Sequence, residues 1–380
     1  MKSLPQHFCI LPFMSVRIWH GRAVPCCINH EYSFGSTIEE SLYDIYSTDN
    51  KKWTEFRQQF LTGSKLPPSC IRCIQKEQAG HKSHRIFSNE KYEHLLPKIP
   101  IETHELYIAF WCGAGFSNLC NLKCRMCSPL LSTSIAIEEN HLPKTASFNN
   151  IDDFYRFFND NLETLEEIAF EGGEPMMIEE HFKILEYLIN KNKVNVRLKY
   201  HSNLTNIKLK NYDIIEMWSH FNEIELRVSI DACENRNHYI RYPSNWDNII
   251  SNLTLIKNSC PNVKIDLALT IQLLNAFDAL NLHKFMNDNE LVHSITYTIL
   301  VNPKYYQLTV LPIEIKQRVE EHWSEFSSNE YVKLFLSHMW SSDDSKLLPD
   351  FFAHTFSKDK IRNNDFFTTF PEFADLKKYI

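Results

Sequence analysis

Three cysteines in one short loop constrain this chain more than any other feature. They lie at Cys120, Cys124 and Cys127, in the spacing CxxxCxxC, directly after an apolar run at 106–111. Three thiolates on one loop can bind three irons of a cubane cluster, whereas an iron–sulfur cluster normally has four cysteine ligands. The fourth iron would then be open to a small molecule. A zinc site usually adds a fourth Cys or His, which this triplet does not contain by itself.

The spacing resembles the signature of the radical S-adenosylmethionine (SAM) superfamily. In that family the open iron chelates the methionine part of SAM, and one electron cleaves SAM to methionine and a 5′-deoxyadenosyl radical. The radical then abstracts a hydrogen atom from the substrate. The resemblance implies that Cys120, Cys124 and Cys127 hold a catalytic 4Fe-4S cluster.

Composition narrows the class of protein. A chain of 380 residues that is 43% hydrophobic can bury one large domain and a smaller one. Its net charge of −7, without a long basic run, gives no sign of a nucleic-acid partner. Eleven cysteines, an odd number in CxxC-type groups, indicate metal ligands rather than a disulfide framework. No apolar stretch is long enough for a membrane span, so we expect a cytoplasmic protein.

The middle of the chain alternates strand-like and helix-like runs, which favours βα units and a parallel sheet. The predicted strands are 106–111, 167–170, 196–200, 224–229, 263–270 and 294–300. Six such units suit the open (β/α)6 partial barrel, a TIM-like α/β fold, that the resemblance implies. We therefore predict a Cys-rich N-terminal domain at 1–100, the barrel at 101–303 and a helical extension at 304–380.

Polar motifs follow the predicted strands, at the barrel edge where chemistry is expected. Glu171-Gly172-Gly173-Glu174-Pro175 resembles the GGEP motif that receives the amino group of SAM, although an isolated Gly-Gly would suit an ordinary turn. By the same resemblance, Ser229 and Arg241 would hold the SAM carboxylate, because a guanidinium fits a carboxylate. A surface ion pair is the alternative for Arg241.

The resemblance also implies SAM contacts at other positions, which match positions of the family's SAM-binding residues. Ser202 and Asn203 lie in a turn similar to the family's Thr-Asn-Gly type, although a plain polar loop explains them nearly as well. Asp231 follows Ser229, Gln272 follows the fifth strand, and Met126 stands beside the position of adenine. Cys112 and Cys233 flank strand ends, where a free cysteine is more often a small buried hydrophobe than a catalytic group.

A second group of cysteines precedes the barrel. Cys9, Cys26, Cys70 and Cys73 supply four thiolates, the last two as a CxxC pair, and Cys27 is an alternative to Cys26. Spacing alone fits structural zinc and an iron–sulfur cluster about equally well. The pattern Cys-x11-Gly-x4-Cys followed by CxxC resembles the twitch domain, a shortened SPASM domain, which implies an auxiliary 4Fe-4S cluster. Further residues fit its polar tail: Arg72, Glu77, Gly80, Ser83 and Arg85.

The sequence thus predicts a radical SAM enzyme with an auxiliary cluster. It does not identify the substrate, which could be a peptide, a protein side chain or a small molecule. A flavodoxin- or ferredoxin-type reductant is the implied partner. The rival from another class is a non-catalytic iron–sulfur or zinc-binding scaffold. Polar methyl transfer from SAM is a second rival, and it would leave the loop cysteines unexplained. For the helical tail, both packing against the barrel and a substrate lid stay open.

Overall fold

The structure is a computed structural model that describes residues 4–62, 66–114, 116–142, 147–326 and 329–380. The fold is mixed α/β. The strands, in chain order, are β1 (Ser15–Trp19), β2 (Arg22–Ala23), β3 (Gly35–Ser36), β4 (Phe110–Ala114), β5 (Glu167–Phe170), β6 (Arg197–Ser202), β7 (Lys208–Leu209), β8 (Tyr212–Asp213), β9 (Ile224–Ser229), β10 (Val263–Ile271) and β11 (Ser294–Ile299).

Helices occupy most of the connections and the C-terminal part of the chain. They are α1 (Leu11–Met14), α2 (Leu42–Ile45), α3 (Lys51–Thr62), α4 (Ile71–Gln78), α5 (His84–Lys91), α6 (Thr133–Glu138), α7 (Ile151–Asp160), α8 (Glu179–Asn190), α9 (Ile214–Trp218), α10 (Glu234–Ile240), α11 (Trp246–Ser259), α12 (Ala279–Asp288), α13 (Ile313–Ser324), α14 (Glu330–Met339), α15 (Leu348–Arg362) and α16 (Phe366–Thr369). Within the described ranges, none of them is both long enough and apolar enough to cross a bilayer.

The chain forms two compact units, each built from separate stretches of sequence. The first comprises Met1–Leu119, Leu142–Tyr200 and His220–Ile224; the second comprises Cys120–His141, His201–Ser219 and Glu225–Ile380. In the first unit the strands follow in the order β3, β2, β1, β4, β5, β6. In the second unit they follow in the order β9, β10, β11.

The N-terminal hairpin is part of the main sheet of the first unit. β1 pairs antiparallel with β2 and parallel with β4, and the second pairing places Val16 opposite Trp111 and Arg17 opposite Cys112. β4 then pairs parallel with β5, and β5 with β6. The carboxyl ends of these parallel strands therefore meet at one edge.

Aromatic side chains form the core on one face of that sheet. Trp111 in β4 is buried and packs edge-on against Phe154, Phe157 and Phe158 of α7. The apolar residues of α7 recur at helical spacing, so one face of the helix is buried while its acids face outward. In the second unit, buried Leu226 in β9 and Leu267 in β10 supply the corresponding core.

Strand-like runs bounded by turn residues were well predicted. The structure confirms the strands at 167–170 and 224–229 and extends the one at 263–270 by one residue. The strand predicted at 196–200 lies at Arg197–Ser202, and the one predicted at 294–300 ends at Ile299. The first predicted strand was placed too early, because β4 begins at Phe110 rather than at residue 106. The helical character of the tail is confirmed in α13, α14 and α15.

Candidate active site

The cysteine loop is held by backbone hydrogen bonds rather than by regular secondary structure. Within the second unit, the backbone N–H groups of Lys123 and Arg125 donate to Tyr242 O and Ile240 O at 2.5 and 2.8 Å. Cys127 N–H donates to Cys124 O at 3.0 Å, which turns the chain between these two cysteines. The loop therefore has a defined path.

Two polar side chains approach the thiols of this loop. Asn203 Nδ2 lies 3.9 Å from Cys120 Sγ, and Arg241 Nη1 lies 3.9 Å from Cys124 Sγ. Burial, reinforced by the neighbouring Cys124, raises the pKa of Cys127 to about 12, and burial also raises the pKa of Cys124. Burial therefore favours the protonated thiols of Cys124 and Cys127 until a cation stabilises the thiolates.

Arg241 is part of a buried ion pair. Its Nε lies 2.7 Å from Asp231 Oδ2, and the Asp231 side chain is fully buried. Thr270 N–H donates to the other oxygen of Asp231 at 2.9 Å. Burial acts to lower the pKa of Arg241, but the charge of Asp231 outweighs it, and that pKa is raised. The alternative of a surface ion pair at Arg241 is therefore wrong, and the guanidinium stays charged beside the loop.

The turn after β6 is also ordered. Ser202 Oγ accepts a hydrogen bond from Leu204 N–H at 2.9 Å, and Asn203 Oδ1 accepts one from Thr205 N–H at 3.0 Å. Asn203 Nδ2 donates to Asn121 Oδ1 at 3.0 Å, which connects the turn to the cysteine loop. These bonds fix Asn203 beside Cys120.

The remaining predicted contacts lie in different settings. Ser229 is the last residue of β9 and is half-buried, as is Met126 between its two cysteines. Gln272 follows β10 and is fully buried, and within the described ranges neither atom of its side-chain amide has a hydrogen-bond partner. A buried polar group without a partner is costly, so a ligand that pairs with it gains affinity.

The Gly-Gly turn belongs to the first unit and meets the backbone just before Cys120. Gly172 and Gly173 have φ of +81° and +50°. A Cβ on Gly173 would lie 2.3 Å from Leu119 O, whereas a Cβ on Gly172 would meet nothing within 4 Å. Glu174 N–H donates to the same Leu119 O at 2.7 Å. Glycine is therefore required at position 173, because the backbone of Leu119 approaches too closely for a side chain. The space beside Gly172 is open, and a ligand could occupy it.

The N-terminal cysteines converge on one cavity of the first unit. Its lining includes Cys9, Cys26, Cys70 and Cys73, together with aromatic side chains of α3. Burial, reinforced by Cys26, raises the pKa of Cys9 well above its usual value and that of Cys70 to about 12. Four thiols around one cavity suit a cluster or a metal ion.

Cys27 points to a different neighbour. Its sulfur lies 3.2 Å from His84 Nε2, and it is absent from the lining of the four-thiol cavity. Burial and the adjacent Cys26 raise the pKa of Cys27 to about 12. Of the two adjacent cysteines, Cys26 is thus the one that shares a cavity with the other three.

The polar tail that follows the CxxC pair supports this cavity. Glu77 forms an ion pair with Arg85 at 2.5 Å and accepts a short hydrogen bond from Ser83 Oγ. Arg85 Nη1 donates to Phe8 O at 2.8 Å, the residue before Cys9. This network fixes the position of Cys9 relative to α4 and α5.

Within the described ranges, no three Cys, His, Asp or Glu side chains are drawn closely enough together to hold one metal ion. A cubane cluster needs a wider arrangement, because each cysteine binds a different iron atom. This absence therefore concerns a single metal ion and not a cluster, to which each thiolate contributes one ligand.

Sequence reasoning missed a buried group at the carboxyl ends of β1, β4 and β5. Arg17 pairs with Glu171 at 2.9 Å and donates a short hydrogen bond to Cys112 Sγ. Cys112 is thus a partner of a buried arginine rather than an isolated hydrophobe. The only signal in the sequence was an arginine within an otherwise apolar strand.

Two family models match separate parts of the chain. Residues 115–278 match the model of the Radical SAM superfamily, and residues 9–74 match that of SPASM, an iron–sulfur cluster-binding domain. No curated protein matches the chain.

Solved structures are similar at low identity. One is native anSMEcpe with bound AdoMet, at 15% identity and TM-score 0.44 over 60% of this chain and 62% of that chain. Another is Streptococcus suis SuiB bound to precursor peptide SuiA, at 14% identity and TM-score 0.41 over 86% of this chain and 70% of that one. The chain thus spans less than two thirds of anSMEcpe.

The domain matches and the described strands lead to one conclusion. The parallel strands β4 and β5 lie on either side of the cysteine loop in sequence, and β6, β9, β10 and β11 continue the strand-and-helix alternation. Residues 115–278 therefore form a radical SAM domain of mixed α/β fold, preceded by a SPASM-type iron–sulfur domain, and the cofactors are 4Fe-4S clusters and SAM.

Proposed function

We propose that this protein is a radical SAM enzyme that cleaves SAM reductively and abstracts a hydrogen atom from its substrate. The observation that carries the proposal is the loop of three half-buried cysteines, with Arg241 and Asn203 each 3.9 Å from a cysteine sulfur. Cys120, Cys124 and Cys127 would hold the catalytic cluster. That cluster supplies the electron for SAM cleavage, while the protein orients SAM and excludes water.

The surrounding residues have distinct roles in this proposal. Gly172, Gly173 and Glu174 receive the amino group of SAM, since the turn leaves open space at Gly172. Ser229 and Arg241 face its carboxylate, and Asp231 orients Arg241 through their 2.7 Å contact. Further contacts are assigned to Ser202, Asn203, Met126 and Gln272.

We assign Cys9, Cys26, Cys70 and Cys73 to an auxiliary 4Fe-4S cluster, in a domain of the shortened twitch type. Support comes from the four-thiol cavity, which Cys26 lines and Cys27 does not. An auxiliary cluster can take the electron left on the substrate after hydrogen abstraction, or line the substrate site. A flavodoxin- or ferredoxin-type protein would supply the reducing electron.

The test is iron, sulfide and zinc analysis with low-temperature electron paramagnetic resonance (EPR), with and without SAM. It compares wild type with the Cys120→Ala/Cys124→Ala/Cys127→Ala variant, both reconstituted anaerobically. We expect about eight irons in wild type and about four in the variant, and a spectral change with SAM in wild type alone.

Other outcomes separate the alternatives. About four irons in wild type and none in the variant, with zinc present in both, would assign the N-terminal cysteines to zinc. The absence of any SAM effect in reduced wild type, together with no SAM cleavage, would support a non-catalytic scaffold and overturn the proposal.

A further inference from the structure

Arg125 lies inside the cysteine loop, yet its side chain is directed into the protein. It is fully buried, and its guanidinium lies 3.6 Å from the centre of the Tyr239 ring. Nε donates to Tyr239 O at 3.0 Å, and Nη1 donates to Thr355 O of α15 at 3.2 Å. Nη2 forms a short ion pair with Asp359, also in α15. The middle of the loop is thus attached to the C-terminal extension.

Asp359 is itself held in place by the chain that follows α15. Its second carboxylate oxygen accepts a hydrogen bond from Phe366 N–H, the first residue of α16, at 2.9 Å. Its backbone carbonyl accepts one from Asn364 N–H at 3.0 Å. These hydrogen bonds therefore fix the position of the Asp359 carboxylate opposite Arg125.

The same helix also contacts the segment that leaves the loop. Arg362 forms a double hydrogen bond with Glu138, the last residue of α6, at 3.0 and 2.8 Å, and both side chains are almost wholly buried. Lys358 lies 2.7 Å from Glu139. α15 thus contacts the chain on both sides of Cys127.

α6 in turn fixes the first cysteine. Thr133 Oγ1 accepts a hydrogen bond from Cys120 N–H at 3.2 Å, and Ser134 Oγ donates to Cys120 O at 2.6 Å. The path from α15 through Glu138 and α6 therefore reaches Cys120, while the path through Arg125 reaches the residue next to Cys124.

We propose that α15 is a positioning element that holds the cysteine loop in the shape needed to receive the catalytic cluster. Buried ion pairs contribute little net stability compared with apolar packing, but they impose specific geometry. One of them joins α15 to the middle of the cysteine loop, and the other joins it to α6, the helix that follows the loop. Arg125 and Asp359 are thus positioning residues, acting through the cysteines. This inference rests on the proposed function of the loop.

The test replaces one charge without changing shape. In Asp359→Asn we expect iron content to fall from about eight towards about four per chain, with loss of the SAM-dependent EPR change and retention of the auxiliary-cluster signal. The matched control is Asp375→Asn, which makes the same chemical change in an exposed ion pair with Arg318 elsewhere in the tail. We expect wild-type iron content in this control.

A second variant, Glu138→Gln, weakens the other attachment and should give the same pattern in a milder form. Full iron loading with an unchanged SAM response in both variants would overturn the inference. Loss of both clusters, with a changed circular dichroism spectrum, would also overturn it, since α15 would then stabilise the whole fold. Wild type is measured in parallel, because the proposed function by itself predicts a SAM response in wild type. A missing response in wild type would therefore contradict the proposed function, whereas a normal response in wild type and in both variants would contradict only this inference.

Discussion

At the scale of the single residue, Gly173 is the position in the site that tolerates a side chain least. Replacement by Ala would push a Cβ to 2.3 Å from Leu119 O, where only backbone movement can relieve the clash. We expect Gly173→Ala to lower the melting temperature of the iron-free protein and to weaken SAM binding. The measurements are thermal unfolding and equilibrium dialysis with SAM.

Gly172→Ala is the control for this substitution. It carries the same left-handed backbone strain, roughly 1–2 kcal/mol for an L-residue, but its Cβ would enter open space. We expect a clearly smaller loss of stability than in Gly173→Ala. Equal losses in the two variants would mean that backbone strain, rather than contact with Leu119, determines the choice of glycine.

The residues of the candidate site could be predicted from the sequence where they belong to a short motif. The spacing of Cys120, Cys124 and Cys127 and the Gly-Gly turn could be recognised because their members are close in sequence. Arg125 and Arg17 could not be recognised, because their partners Asp359 and Glu171 lie 234 and 154 residues away. A long-range ion pair leaves no pattern in a single sequence.

At the scale of the element, α8 and β6 share a buried histidine that makes stability depend on pH. His181 is buried, and its Nε2 lies 3.0 Å from Tyr200 Oη. Burial lowers the pKa of His181 from 6.5 to about 3. Between these values the unfolded chain binds the proton and the folded protein does not. The free energy of unfolding should therefore fall as pH drops from 6.5 towards 3, by at most about 1.4 kcal/mol per pH unit from this group.

Urea unfolding of iron-free protein at pH 7.5, 6 and 5 measures this dependence. His181→Phe removes the titrating group, so we expect a shallower loss of stability towards pH 5 than in wild type. His220, an exposed histidine of the same unit, provides the control as His220→Phe. Identical slopes in wild type and His181→Phe would assign the pH dependence to other groups.

Elements were predictable where hydrophobic spacing was strong and local. Residues 36–46 have the sequence signals of a helix, with Ser36 or Thr37 as a candidate N-cap, but only α2 at Leu42–Ile45 forms there. Ser36 instead pairs with Arg22 in the sheet, and its N–H group donates to the Glu40 side chain at 3.0 Å. Sheet pairing with a strand fourteen residues earlier overrides the local helical tendency.

At the scale of the whole molecule, the N-terminal segment completes a sheet. β1 covers the edge of β4 in one register from Ser15 to Arg17, and the register shifts between Arg17 and Ile18. A chain that begins at residue 101 would expose that edge and the apolar residues beneath it, which favours aggregation. We expect this shortened chain to be insoluble on expression, or to lack a cooperative urea transition.

The control for this prediction is the 380-residue chain in which four N-terminal cysteines are changed to Ser: Cys9, Cys26, Cys70 and Cys73. It removes the ligands but leaves β1 in place, so it should stay soluble. A soluble, cooperatively unfolding chain from residue 101 would show instead that the barrel is independent. The predicted domain boundary at residue 100 stays a prediction. The position of β1 shows why hydrophobic periodicity alone cannot find such boundaries, because periodicity indicates where a strand lies but not which strand it pairs with.

The pairing of β1 with β4 also affects how the protein is made. Arg17 and its partner Cys112 are 95 residues apart, so β1 leaves the ribosome well before the strand it pairs with. At about 5–20 residues per second, the first strand waits on the order of 5–20 seconds for that partner. Cys9 and Cys26 emerge from the ribosome near the start of this interval and Cys70 and Cys73 only in its second half, all on a chain whose sheet is incomplete. Insertion of the auxiliary cluster is therefore best timed after synthesis has passed β4.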